Sequence, residues 1–206
     1  TRRSSDLSES KEYIATLSLG TSTDTYDASG KIIETKEFHA LDNNEIVACF
    51  NNFIGSQEQK PPIYSAIKVN GKKLYEYARA GEQVEVPTRS VTVNHLEILQ
   101  IENNLIKFKV GCSKGTYIRS LCYDLAKALG YPGHMKDLIR TKSGNFSLEN
   151  CFTLEQIENG EYTTVSLEEA LNSYQQLVVD DEKIIFHGKK IKSDLNEQVV
   201  ILNRQG

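Results

Sequence analysis

Between Pro61 and Gly81 the aromatic residues Tyr64, Tyr75 and Tyr77 are interleaved with the cations Lys68, Lys72, Lys73 and Arg79. Aromatic faces stack on unpaired bases and cations neutralise phosphates, so this mixture suits a looped or single-stranded RNA. The same composition also describes a tyrosine-rich hairpin packed on a core with its lysines in water. The segment alone does not separate the two.

Two other stretches carry chemistry. In Cys112-Ser113-Lys114-Gly115-Thr116-Tyr117-Ile118-Arg119, Gly115 permits a tight strand-to-helix turn. Tyr117 and Arg119 then fall in the first helical turn, where a cation opposes the helix dipole. That placement calls for a buried acidic partner, or else leaves a surface arginine. Nearer the N-terminus, Lys11-Glu12-Tyr13 precedes the threonine- and aspartate-rich run Thr21 to Gly30. Asp24 and Asp27 read there as loop-fixing residues of the Asx-turn kind.

The elements that must position these residues follow from periodicity. Tyr13, Ala15, Leu17 and Leu19 alternate as a half-buried strand, and Lys31 to Phe38 reads as its return. Asp42 with Glu45 is a capping-box signature for a helix through Ile46, Val47, Phe50, Phe53 and Ile54, with Gly55 as its stop. Asn70-Gly71 predicts a hairpin turn, and Leu74 to Gly81 a short helix. Val91 to Ile101 and Leu105 to Val110 pair as a second hairpin through Asn103-Asn104. Thr116 to Leu129 is helical, with Ile118, Leu121, Cys122, Leu125 and Leu129 on one stripe, and Lys136 to Ser143 reads as a further strand. Thr153/Gln156 and Ser166/Glu169 are two more capping boxes. From about Leu177 the chain turns to short β-like runs with a turn at His187-Gly188. Hairpins with interspersed helices give an α+β chain with a mixed, mainly antiparallel sheet.

Composition bounds the rest. Apolar residues make up 39% and charged residues 25%, ordinary for a globular domain. No run approaches the length of a membrane span, and no signal-peptide core is visible, so a cytoplasmic setting is the expectation. Cys49, Cys112, Cys122 and Cys151 are scattered, as are the four histidines, and no protein-built metal site is expected. The net charge of −4 excludes an indiscriminate polyanion binder. Yet residues 60–142 hold 14 Lys/Arg against 7 Asp/Glu between two acidic flanks, as a localised phosphate-binding face would, or a solvated surface.

Taken together, the blocks K-x-Y…G-x-x-T-D-T-x-D-x-x-G, P-P-x-Y-S-A-x-K-V-x-G-x-x-L-Y-E-Y-A-R-x-G and C-S-K-G-T-Y-I-R resemble the tRNA pseudouridine synthase B (TruB) family, which isomerises uridine 55 in the T-loop of tRNA. The resemblance covers about Lys11 to Phe146. It implies a pseudouridine synthase fold over 1–175, with an RNA-binding loop region at 60–90. A partial, β-rich module resembling the family's PUA-type tail is implied for 176–206.

By this resemblance Tyr13 matches the active-site tyrosine that stacks on the flipped base and serves proton transfer at C5. Arg119 matches the arginine that pairs with the nucleophilic aspartate, while Tyr117 and Leu138 match pocket-lining residues. Lys68, Lys72, Lys73, Arg79, Lys114 and Arg140 are the implied RNA contacts. The implied partner is the T-arm of tRNA, bound by a monomer without metal, redox cofactor or ATP. Two departures stand out. Ile139 replaces the first arginine of the family's L-R-R triplet, and the G-T-L-D-P-x-A-T-G motif that carries the nucleophile is not in this sequence. The expectation is a chain without its nucleophilic aspartate and inactive as it stands. The alternative is a catalytically inactive module that binds and folds tRNA.

Overall fold

The computed structural model describes residues 10–171, 175–179 and 199–202. The chain divides into two compact units, Thr1–Glu149 and Asn150–Gly206. The first unit is built on four long or medium strands, β1 (Lys11–Leu19), β7 (Arg89–Glu102), β8 (Leu105–Cys112) and β9 (Gly133–Ser143). With β4 (Gly55–Gln59) and β10 (Phe146–Ser147) at the edges they form a sheet ordered β10-β9-β1-β8-β7-β4, antiparallel throughout.

Alternation decides which face is covered. On β1, Ala15, Leu17 and Leu19 are at most 1% exposed, and on β8 so are Ile106, Phe108, Val110 and Cys112. The helices α1 (Asn43–Asn51) and α3 (Ile118–Ala128) close over that face. Ile46 and Phe50 from α1 join Ile118, Leu121, Cys122, Leu125 and Ala126 from α3 in one core cluster. Each large side chain so buried contributes roughly 1.5–3 kcal/mol before chain entropy is counted. Helix and sheet approach closely at Gly133, where a Cβ would collide with the Ala126 methyl. The result is an α+β fold with helices on one side of an antiparallel sheet.

The Asn70-Gly71 turn is present, both residues at positive φ, between β5 (Lys68–Val69) and β6 (Lys72–Lys73). The helix α2 (Leu74–Ala80) follows and ends on left-handed Gly81. Asn103 closes the second hairpin at φ 52°.

Three expectations change. The strand after Gly30 does not return beside β1; β3 (Ile32–Thr35) pairs with β2 (Thr21–Thr23) as a separate ribbon. A three-residue β2 leaves no continuous edge for a longer partner. Asp42 caps α1 through the Asn44 N–H rather than through a reciprocal box with Glu45, and the helix ends at Asn52. Gly55, at φ 113°, instead opens β4.

In the second unit Thr153 and Gln156 form their reciprocal box at the start of α4 (Leu154–Glu158), and Ser166 accepts from the Glu169 N–H at α5 (Leu167–Ala170). Strands β11 (Gln175–Val178) and β12 (Val199–Leu202) pair in parallel. The turn expected at His187-Gly188 lies outside the described residues, as does most of 176–206.

Candidate active site

Arg119 is the hub. It occupies the second position of α3, after Tyr117 as N-cap, and its side chain is only 22% exposed. Nη1 donates to the Thr25 carbonyl at 3.0 Å and to Asp27 Oδ2 at 3.0 Å, and Nη2 to the Tyr64 carbonyl at 2.9 Å. The acidic partner that a cation at a helix N-terminus calls for is therefore Asp27. One guanidinium ties together the loop after β2, the segment after Pro61-Pro62, and α3. Among the described residues these bonds use three of its five N–H donors, which leaves two for a further acceptor.

Asp27 keeps the loop-fixing role expected of it and adds the ion pair. Its Oδ1 accepts from the Thr25 hydroxyl at 2.8 Å, the Ser29 N–H at 3.0 Å and the Ser29 hydroxyl. Asp24 fixes the loop only, accepting from the Lys31 N–H at 2.8 Å. Gly30 is required by the compactness of this turn, because a Cβ there would run into the Thr25 hydroxyl and the Asp24 carboxylate. The loop is also sewn to β9: Met135 N–H donates to the Tyr26 carbonyl at 2.9 Å, and Ala28 N–H to the Met135 carbonyl at 3.0 Å.

Tyr13 lies on the helix-covered side of the sheet, in alternation with Ala15 and Leu17, and packs against the cluster that contains Ile118 and Cys122. Its cross-strand neighbours are Val110 on β8 and Arg140 on β9. Burial pushes the phenol up, helped by nearby Cys112 and opposed by Arg140, so Tyr13 is a neutral phenol at pH 7. Leu138 is paired with Ala15, so it shares the Tyr13 face, and it is 40% exposed. Lys114 and Arg140 are exposed.

The cation-rich segment differs from both readings that the sequence allows. Lys72 lies over the Tyr77 ring and pairs with Glu82 at 2.7 Å, while Lys73 and Arg79 both lie over Tyr75. The tyrosines are thus partnered by cations of their own segment, and Tyr77 is further held by its hydroxyl on the Val69 carbonyl. Base stacking on Tyr75 or Tyr77 would have to displace those cations, each such contact being worth only about 0.5–1 kcal/mol at an exposed site. Lys68 is exposed.

A further side chain braces the start of α3. Gln59, 1% exposed at the end of β4, donates from Nε2 to the Tyr117 carbonyl at 3.1 Å and accepts the Tyr117 N–H at 2.8 Å. It substitutes for a strand partner exactly where the backbone turns into α3, and Ser120 adds a bond to the Lys60 carbonyl. In the sequence Gln59 is a polar residue two places before Pro61, and nothing local marks it for burial.

Two carboxyls are held below the ordinary range. For Asp27, burial alone pushes the carboxyl up, but the Ser29 and Thr25 hydrogen bonds and the Arg119 charge outweigh it. For Glu12, burial likewise raises, and the Thr141 and Lys109 bonds with the Lys109 and His95 charges win. A carboxyl depressed in the folded state contributes stability above its unfolded pKa, and that contribution is lost as pH falls through the folded value. Acid unfolding followed by circular dichroism is therefore expected to steepen below the ordinary carboxylate range. Asp27→Asn with Glu12→Gln should flatten that limb, and an unchanged limb would remove both groups from the account.

Among the described residues no group of three or more His, Cys, Asp or Glu is placed to hold a metal ion, and no helix is long and apolar enough to cross a membrane.

Residues 1–118 match the TruB family pseudouridylate synthase N-terminal domain, and residues 119–179 match the tRNA pseudouridylate synthase B C-terminal domain. The tRNA pseudouridine synthase B of Clostridium tetani is 43% identical over 190 residues, covering 90% of this chain and 66% of its own length. That of Oceanobacillus iheyensis is 46% identical over 198 residues, covering 91% and 65%. The chain thus spans slightly under two thirds of these curated relatives. Among solved structures, a chain of a Cbf5-Nop10-Gar1 complex superposes with a TM-score of 0.65 at 24% identity, over 98% of this chain and 58% of that one. A chain from an H/ACA RNP bound to a substrate RNA containing 2'-deoxyuridine gives 0.63 at 21%, over 97% and 57%. At these identities the two structures speak for the fold alone. With one family model matched over residues 1–118, the second over 119–179, and relatives 43–46% identical over nine-tenths of the chain, this chain belongs to the TruB family of pseudouridylate synthases.

Proposed function

We propose that this chain is the substrate-gripping part of a tRNA pseudouridine synthase that seats a uridine extruded from the T-loop. The observation that carries the reading is that Tyr13 and the anchored end of α3 lie on the same side of one sheet. A base buried in a folded loop cannot be rebuilt in place, so it must be flipped out, and stacking on an aromatic ring offsets the stacking it loses. Tyr13 offers that ring, with Leu138 alongside. Isomerisation breaks the bond from N1 to the ribose and forms one from C5 to the same ribose carbon, with the C5 proton leaving and N1 gaining one. A neutral phenol takes up the C5 proton only as it hands on its own, so on this reading Tyr13 is a relay whose hydroxyl proton passes to water or to the N1 side of the base.

Arg119, held by Asp27 and two carbonyls, directs its two remaining donors at a further anion, which on this reading is the nucleophilic carboxylate. Lys68, Lys114 and Arg140 are exposed cations for the T-arm phosphates, with Lys72, Lys73 and Arg79 pre-arranged on their tyrosines. The reaction rearranges one base within one molecule and consumes no cofactor. The domain reading, 1–175 with a PUA-like 176–206, the monomeric state and the cytoplasmic setting belong to the same proposal.

A second reading has its own support. Both Asp27 oxygens are already engaged, which suits an anchor rather than a nucleophile. On that reading the chain alone grips tRNA without turning it over. Filter binding to a T-arm hairpin tests the grip: binding that weakens steeply with salt is expected, and absent or salt-insensitive binding would count against both readings. Release of label from C5-tritiated tRNA by the chain supplied with a segment carrying the G-T-L-D-P-x-A-T-G motif then separates them: turnover supports the first reading and its absence the second. Turnover by these 206 residues alone would place the nucleophile within them.

A further inference from the structure

The T-D-T-x-D run leaves position 26 open, and this chain fills it with a tyrosine. Tyr26 has φ 62°, a left-handed conformation that a bulky side chain rarely adopts. The other described non-glycine residues at positive φ are Asn70 and Asn103, each in a tight hairpin turn where asparagine is at home. Nothing about a hairpin excuses Tyr26, so something else must hold it.

Its backbone is held by β9, through the Met135 N–H on the Tyr26 carbonyl, and its side chain by α3. The Tyr26 ring stacks on Tyr123 with centroids 4.3 Å apart and planes 19° from parallel. Tyr123 is four residues beyond Arg119, so the two side chains share one face of α3, a turn apart. The residues on either side of Tyr26 both reach Arg119 Nη1, through the Thr25 carbonyl and the Asp27 carboxylate. A left-handed residue between them folds the chain sharply enough for a carbonyl before it and a side chain after it to meet one nitrogen.

We propose that Tyr26 is a positioning residue: its stack on Tyr123 maintains the strained turn that delivers Thr25 and Asp27 to Arg119, and so fixes the direction of the arginine's remaining donors. The geometry stands without any functional assumption. Only its consequence for pseudouridine formation rests on the proposed function.

The test uses the whole 206-residue chain and reads two NMR signatures, the slowly exchanging side-chain N–H signals of Arg119 and the titration of the Asp27 carboxyl carbon. Tyr26→Phe keeps the ring and should match the parent in both. Tyr26→Ala and Tyr123→Leu should each lose the Arg119 signals and move the Asp27 titration upward, and the double variant should be no worse than either single one. Tyr123→Leu preserves helix propensity and burial and leaves the loop sequence untouched, so the question stays answerable if Tyr26→Ala unfolds. Amide shifts in β8 report whether the core is intact. Parent-like Arg119 and Asp27 signals in Tyr123→Leu would overturn the proposal. T-arm hairpin binding, run in parallel on the parent chain, fails separately if the proposed function is wrong, because the NMR signatures do not depend on RNA.

Discussion

Arg119→Ala is expected to melt well below the parent, by roughly 6–12 °C. The replacement deletes three hydrogen bonds and strands the Asp27 carboxylate, itself only 20% exposed, without its cation. Breaking a buried pair from one side costs about 3–5 kcal/mol, and a pair one-fifth exposed falls near the lower end, about 3 kcal/mol. For a chain of this length each kcal/mol lowers the melting temperature by roughly 2–4 °C. Arg119→Lys should recover little, because one ammonium cannot meet the Thr25 and Tyr64 carbonyls in two directions as a planar fork does. In a protein competent for the proposed reaction, turnover should fall by roughly 100- to 1000-fold, the usual loss when an aimed charge-stabilising donor is removed. A melting temperature within about a degree of the parent would mean that the loop after β2 and the segment after Pro62 do not depend on this guanidinium.

The second large effect separates a ring from its hydroxyl. Tyr13→Phe keeps the aromatic face and its packing on the Ile118 cluster, and loses only the phenol that faces Arg140. Stability should change by less than about 1 kcal/mol, since the group removed makes a single partly solvated contact. T-arm hairpin affinity should stay within about threefold, because stacking belongs to the ring. Turnover, by contrast, should drop by roughly 100- to 10,000-fold if the phenol moves a proton in the rate-limiting step. Unimpaired tritium release by Tyr13→Phe would leave Tyr13 as a platform for the base and take it out of the proton transfer.

Much of the fold is written in short-range rules, and those parts are legible in the chain. Asn70-Gly71 must turn because both positions take positive φ, and Asn103 does the same between β7 and β8. The stripe Ile118, Leu121, Cys122, Leu125 and Leu129 reads as the inner face of a helix; the first four are at most 4% exposed, and Leu129, at the C-cap, is partly buried against the same core. The Thr153/Gln156 box caps α4 as its spacing requires. Tyr13 and Arg119 stand out in the sequence for a different reason: they sit in motif blocks whose residue types are jointly rare.

What the sequence left undecided depends on partners far away along the chain. Gly-Ser-Gln-Glu-Gln at 55–59 has no apolar period, and it is a strand because β7 lends it hydrogen bonds. Asp24 and Asp27 sit in equivalent loop surroundings, yet only Asp27 meets a cation, because Tyr26 turns the backbone between them toward α3. Gln59 looks like any polar residue until its amide is found buried on the Tyr117 backbone, 58 positions on. Tyr75 and Tyr77 look free to stack until folding lays Lys73, Arg79 and Lys72 over them. Backbone torsion and side-chain period are local and can be read in order. Which charge finds which, and which ring is left bare, is settled only when segments tens of residues apart compete for the same few ångströms.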